Sequence, residues 1–405
     1  MQDTFISSTQ SEASQIDWCF RLNDTMGPWF STLFDRDYPG RIRFCNQGNL
    51  IEPTANTGLG ASCLALKATY QTGVWEQLEP DMQSGWIAHI QSFQEQETGY
   101  FEDAAILAVA DARANWSLPK KVLNRVRRKL GYADLAELDA MSTKKHRPEK
   151  YTVLNTATRR AETRQACAAL LAAGSRPLYP INHIPASPEA ILAYLDDLPW
   201  YLNPWHAGSH TAYLIFALKL NADIFNQQTP FQKHVPIILS YLDQLQDPET
   251  GSWFRNSWFP REVPLNQKVN GAMKVLTGYS LLDKPVQWPE KLIDLCLRAY
   301  DDRDACHSVD LIYILHECAK WTTHRQGETE AFAEKLLGSI EKHCKPDGGL
   351  SFYPTHANTM YYGVPISTGL PESDVHGSHL LIWAATLCLN LLDLKPEFKW
   401  RLPIT

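Results

Sequence analysis

A short phrase built on glycine and an aromatic residue recurs along this chain at a spacing that few folds accommodate. It reads Gln94-Glu95-Gln96-Glu97-Thr98-Gly99-Tyr100-Phe101, then Gln246-Asp247-Pro248-Glu249-Thr250-Gly251-Ser252-Trp253-Phe254, then Lys345-Pro346-Asp347-Gly348-Gly349-Leu350-Ser351-Phe352. The glycines at 99, 251 and 348 lie 152 and 97 residues apart, close to three and two periods of about 50. A fainter copy, Asn46-Gln47-Gly48-Asn49-Leu50, precedes the first by about one period. A repeat of that length marks a supersecondary unit copied along a solenoid or around a ring.

The segments between the phrases have helical periodicity of two kinds. Met82–Phe93, Pro188–Asp197, Phe231–Leu245, Glu290–Tyr300 and Glu330–His343 carry one apolar stripe and read as outer helices. Ser187-Pro188 and Thr229-Pro230 have the form of helix starts, a cap residue followed by proline. Leu59–Tyr70, Glu162–Ala173, His206–Leu218, Lys268–Leu281, Asp304–Cys318 and His376–Leu392 are apolar nearly all round and read as inner helices. Outer and inner helices alternate. Six such hairpins close into an all-α (α/α)6 toroid, a six-hairpin barrel treated as one domain over residues 1–405. An open solenoid is the other arrangement, and it calls for polar capping units at its ends.

One interval is a period too long. Residues 103–155 form an insertion whose basic patch comprises Lys120, Lys121, Arg125, Arg127, Arg128 and Lys129, followed by Lys144, Lys145, His146 and Arg147. It reads as a solvated helix or as a rim that steers anions. The net charge of −7 argues against nucleic acid as a partner. No apolar run is long enough to span a bilayer. Met1–Ser14 lacks the pattern of a signal peptide, and the nine cysteines contain no CxxC pair. These features place the protein in the cytoplasm with reduced thiols.

Polar groups collect where the buried helices begin, a poor place for them if those helices only pack. They are Arg160 and Arg164; His206 and His210; Lys268, Asn270 and Lys274; Asp304, Cys306, His307 and Asp310; and Asp374, His376 and His379. In a toroid the inner-helix N-termini share one mouth, so these side chains line a common basin that suits an anion. Asp304, Asp310, Asp374, His376 and His379 are the candidate acid and base groups. Arg160, Arg164, His206, His210, Lys268, Lys274 and His307 are candidate substrate contacts, with Trp205, Tyr361 and Tyr362 as aromatic walls. Asp304, Cys306 and His376 together have the chemistry of a zinc set. Each also has a plain structural reading: Asp304 as a helix cap, Cys306 as a buried thiol, and Lys268 as half of an ion pair.

With these residues in hand, the chain resembles the terpenoid cyclase and protein prenyltransferase superfamily. The phrases are similar to the Gln-x-x-x-Gly-x-Trp and Asp-x-Gly-Gly-Phe turns of that superfamily. Asp304-x-Cys306 on one inner helix, with His376 two residues after Asp374 on the next, is similar to its zinc order. The resemblance implies zinc on Asp304, Cys306 and His376, and it makes Arg298 a diphosphate contact. Asp301 stands where the family has a second basic residue, His307 where it has an aromatic one, and the Asp-x-Asp-Asp donor of class II cyclases is absent.

Three functions are compatible with this reading. The resemblance implies prenyl or terpenoid transfer or cyclisation on a prenyl diphosphate. The polarity of the mouth suits a carbohydrate-active enzyme (hydrolase, lyase or epimerase) acting on an acidic oligosaccharide. A structural scaffold is the third, and clustered polar groups on buried helices weigh against it.

Overall fold

The computed structural model describes residues 3–114, 153–201, 203–255, 262–394 and 396–404, with 117, 119, 120, 122, 123 and 126 besides. Outer helices are α1 (Asp3–Ser31), α3 (Pro80–Gln91), α6 (Pro188–Asp196), α8 (Gln228–Leu245), α10 (Pro289–Arg298) and α12 (Gln326–Ile340). Inner helices are α2 (Leu59–Thr72), α5 (Val153–Ala172), α7 (Pro204–Phe225), α9 (Leu265–Leu281), α11 (Ala305–Ala319) and α13 (Val375–Leu391). Each inner helix packs on the next, and α13 packs back on α2, so the inner ring is closed. The outer helix α1 likewise meets α12. This is the expected (α/α)6 toroid.

The repeated phrase forms the turn at the C-terminal end of an outer helix. Gly99, Gly251 and Gly348 have φ of 75°, 72° and 103°, which disfavours any residue with a Cβ. Short antiparallel bridges Gln94–Phe101, Gln246–Trp253 and Cys344–Leu350 flank them. The leading glutamine braces the turn. Gln246 Nε2 donates to the Gly251 carbonyl at 2.7 Å and its Oε1 accepts from the Gln287 amide at 3.1 Å. Gln94 does the same to Gly99 and to the Leu178 and Tyr179 amides. Trp253 is fully buried and donates to the Leu242 carbonyl, while Phe352 is also buried. Both fasten repeats together.

Close approach of the inner helices is built from small residues. A Cβ on Gly208 would lie 2.6 Å from the Gly271 carbonyl oxygen, and one on Gly278 would meet Ile215. The early turns of α7 therefore face those of α9, and the later turns face the later ones, so these neighbours run parallel.

Local signals account for most boundaries. Proline opens α3, α6, α7 and α10, where its missing N–H costs nothing. Ser187 caps α6 through the Ala190 amide. The start expected at Thr229-Pro230 comes earlier, at Gln228, so both residues fall inside the first turn. The long α1 was not expected, because its N-terminal part is polar. Of the insertion, α4 (Ala104–Ala114) packs on α5. Asp103 ties it to α2, accepting from the Gly58 and Leu59 amides and from the Ala105 amide at 2.7–3.0 Å. The basic residues at 121, 125, 127–129 and 144–147 lie outside the described residues. Among the described residues, no helix is long and apolar enough to cross a membrane.

Candidate functional site

The candidate residues separate by depth in the ring. At the rim they cap helices. Asn203, Asp304 and Asp374 accept from the amides of His206, His307 and Gly377 at 3.0, 3.0 and 2.8 Å. Asp374 has no exposed surface and also takes the Phe352 and Asn358 amides. Burial pushes its carboxyl up to about 6 against those donors. Asp304 further accepts from His307 Nδ1 at 2.9 Å. Lys268 pairs with Glu262 at 2.9 Å. Trp205 is exposed, and Arg298 and His307 line a cleft at the rim.

One or two turns deeper, the ring interior is rich in cations. Arg164 from α5 and Lys274 from α9 both lie close enough to Lys67 of α2 to act on its charge. Lys274 meets Asp310 Oδ1 of α11 at 3.7 Å. Lys67 Nζ donates to Gln165 Oε1. Among the described residues neither Lys67 nor Arg164 has an ion pair; the Arg164 guanidinium lies 5.8 Å from the Phe216 ring centre. Burial, with smaller contributions that include Arg164 and Lys274, pulls Lys67 down to about 7. Burial also drives Asp310 up to about 6 and Glu162 up to about 8. One oxygen of each of these carboxyl groups has no hydrogen-bond partner.

A hairpin reaches into this interior. Strands β1 (Met360–Tyr361) and β2 (Val364–Pro365) are joined by Tyr362 and Gly363, both left-handed at φ 48° and 88°. That turn suits the strand twist, but it places a tyrosine where glycine or asparagine is usual. Tyr361 packs over Gly60 and donates to Glu162 at 2.6 Å. Tyr362 keeps 38% of its surface open although it sits deep, near Glu162, Arg164 and Cys306.

The two histidines of α13 have assignable tautomers. The Asn358 carbonyl oxygen accepts from the Met360 amide, so its NH2 donates to His376 Nδ1 at 2.9 Å and leaves the proton on Nε2. Gln71, turned so that both ends of its amide are satisfied, donates to His379 Nδ1 at 2.7 Å with the same consequence. Burial, then Lys67, lowers both; His376 falls to about 3. Both are neutral rings that present an N–H donor.

Arg160, His206 and His210 gather elsewhere, against the outer helix α6. Arg160 donates to the Tyr194 hydroxyl and to His210 Nδ1, the latter at 2.5 Å. Tyr194 donates to the same nitrogen at 2.6 Å, and His210 Nε2 lies 3.0 Å from His206 Nε2. Arg160 is buried and has no carboxylate partner among the described residues. Its charge rests on these acceptors and on the rings of Tyr194 and Tyr213, at 4.8 and 5.5 Å.

Of the three residues of the zinc set, Asp304 Oδ1 caps α11 and holds His307, the Cys306 thiol is pushed upward by burial, and His376 Nδ1 is bonded to Asn358. Among the described residues, no group of three or more His, Cys, Asp or Glu side chains could hold a metal ion.

Sequence reasoning missed Lys67, Glu162, Gln165 and Tyr194. For Lys67 a signal was available: it is the single charge in the apolar run from Leu59 to Thr72.

No family model matches the chain, and no curated protein matches it. Among solved structures it is similar to a polysaccharide lyase at 13% identity and a TM-score of 0.37, over 83% of this chain and 98% of that one. A likeness of that size says nothing about the reaction.

Proposed function

We propose that this protein is an enzyme acting on an acidic carbohydrate, with the carboxylate of a uronic acid residue held inside the ring. The observation that carries this reading is the convergence of Lys67, Arg164 and Lys274, with Asp310 as the one carboxylate paired to any of them among the described residues. Lys67 is buried with no counter-charge paired to it among the described residues, which is costly unless a ligand uses it. The surrounding groups are hydroxyls, amides and imidazole N–H donors, which match a sugar better than a hydrocarbon.

The same groups suit elimination next to a uronate. Arg164 and Lys274 neutralise the carboxylate, which acidifies the neighbouring C5–H. Lys67, at about 7, is neutral often enough near neutral pH to take that proton. His376 Nε2–H donates to the negative charge that develops on the carboxylate. The C4–O bond breaks as the C4=C5 double bond forms, and the departing oxygen takes the proton of the Tyr362 hydroxyl. Exchange with solvent removes the proton from Lys67 and restores the one on Tyr362.

Incubation with uronic acid oligosaccharides, read by the ultraviolet absorbance of the unsaturated product, tests the reaction. Ligand-induced thermal shifts test the substrate class. Wild type stabilised by uronic oligosaccharides, with Lys274→Gln not stabilised, is the expected result. Stabilisation by a prenyl diphosphate and by no uronic sugar would overturn the reading in favour of isoprenoid chemistry.

A further inference from the structure

The first turns of α9 and α11, together with the segment after α10, enclose a cleft of about 330 Å³ at the rim. Its walls include Asn266, Asn270, Arg298, Tyr300, His307 and Leu311. Three polar groups there are placed to meet a ligand. Asn270 is only 3% exposed and lies on the cleft wall. His307 is anchored by Nδ1 on Asp304, while its Nε2 has no hydrogen-bond partner and stands 3.8 Å from Asp301. Arg298 uses Nε on the Asp294 carbonyl and has no ion pair among the described residues, although it faces solvent. Buried polar groups in native proteins are almost always satisfied. An imidazole nitrogen with no hydrogen-bond partner, on one cavity wall with the Asn270 amide and the Arg298 guanidinium, marks a place where a ligand completes the network.

The cleft continues the interior already described. Asn270 lies one turn before Lys274 on α9, and His307 lies one turn before Asp310 on α11, so each pair shares a face. Four residues of helix span about 6 Å, comparable to the repeat of a pyranose chain. The volume takes one sugar ring with its substituents, and Tyr300 and Leu311 supply apolar walls for a ring face. An amide offers a donor and an acceptor, and an imidazole nitrogen can serve as either, as a hydroxyl pair requires. The guanidinium is matched by a carboxylate.

We infer that this cleft is a second sugar subsite, in which Asn270 and His307 bind the hydroxyls and Arg298 the carboxylate of the uronic acid residue next to the one held by Lys67, Arg164 and Lys274. This rests on the proposed carbohydrate function and makes it more specific. The substrate is a chain with acid groups on successive residues, and a single acidic sugar fills only half of the site.

Calorimetric titration of the full-length protein with galacturonate, a galacturonate trisaccharide and its methyl ester tests this. Arg298→Gln changes an exposed residue and keeps the fold; Asn270→Ala probes the buried amide. Each variant is expected to bind the trisaccharide about tenfold more weakly than wild type and galacturonate equally well. Esterification should weaken binding by all three proteins, since it also removes the carboxylate held inside the ring, and should abolish the difference between wild type and Arg298→Gln. If wild type binds the trisaccharide and Arg298→Gln binds it just as tightly, the second subsite is wrong and the carbohydrate function stands. If wild type binds none of the three, both fall together.

Discussion

Lys67 links stability to function through one measurable charge. Its ammonium lies almost wholly out of solvent, with Gln165 as its hydrogen-bond partner. Burial first, with smaller effects from its cationic neighbours, brings it from 10.5 to about 7. At about 1.4 kcal/mol per pKa unit, that gap sets a ceiling of about 5 kcal/mol on the cost of keeping Lys67 charged in the fold. The sign comes from proton counting. Between about pH 7 and 10.5 the unfolded chain holds a proton on Lys67 that the folded chain has released, so stability rises with pH across that window. Below pH 7 the full penalty applies. Lys67→Met keeps the length of the side chain and removes the charge. Losing the Gln165 hydrogen bond gives back about 1 kcal/mol, and imperfect packing of the thioether about another. The variant is therefore expected to be about 2 kcal/mol more stable than wild type at pH 7, where Lys67 is half protonated, with the difference reaching zero near pH 9 and reversing by pH 10. Urea unfolding of both proteins at pH 7, 8, 9 and 10 measures this, and the variant should bind no uronic oligosaccharide. A variant less stable than wild type at pH 7, or a difference that ignores pH, would refute the reasoning: Lys67 would then be a satisfied structural cation, and the anion site would lose its centre.

Other perturbations give equally definite expectations. A Cβ at Gly60 collides with the Tyr361 ring, so Gly60→Ala displaces the hairpin; it should cost about 1–3 kcal/mol in urea unfolding and weaken oligosaccharide binding through Tyr362. Gly251→Ala meets φ 72° and places its Cβ 2.8 Å from the Trp288 carbonyl oxygen, which should cost about 2–4 kcal/mol; a loss below about 1 kcal/mol would show that the repeated turn is not rigid. His183, His206 and His210 are all held below their ordinary value by burial and then by Arg160. The unfolded chain protonates them first, so stability falls as pH drops below about 6.5, and His210→Gln should flatten that fall in unfolding curves taken at pH 7 and pH 5.

How far the architecture could be read in advance depended on residues whose role is decided locally. Gly99, Gly251 and Gly348 mark the joints because only a residue without a Cβ sits easily at their φ, and a backbone demand of that kind leaves a trace in the one-dimensional order. Ser187 and the prolines that open α3, α6, α7 and α10 act within a single turn. The site was legible only in part, because its members depend on partners far away in the chain. Arg160 and Arg164 are one turn apart on α5, yet Arg160 is drawn to Tyr194 and His210 while Arg164 stays in the interior. No local pattern separates two such arginines. Asp304 and Asp374 show the converse, since a carboxylate that starts a buried helix looks the same whether it caps or catalyses.

Closure of the ring supplies the missing rule. The inner helices begin at one mouth, so a residue's position within its helix measures its depth. Residues at the cap and the first turn, such as Asp304, His307 and Asp374, belong to the rim. Lys67, Lys274 and Arg164 are the ninth, tenth and twelfth residues of α2, α9 and α5, two or more turns down. Lys67 is almost wholly buried there, and a charge so placed is hard to keep without a ligand. A search confined to helix starts therefore finds the rim together with His376, and the cations that define the proposed chemistry lie further along their helices.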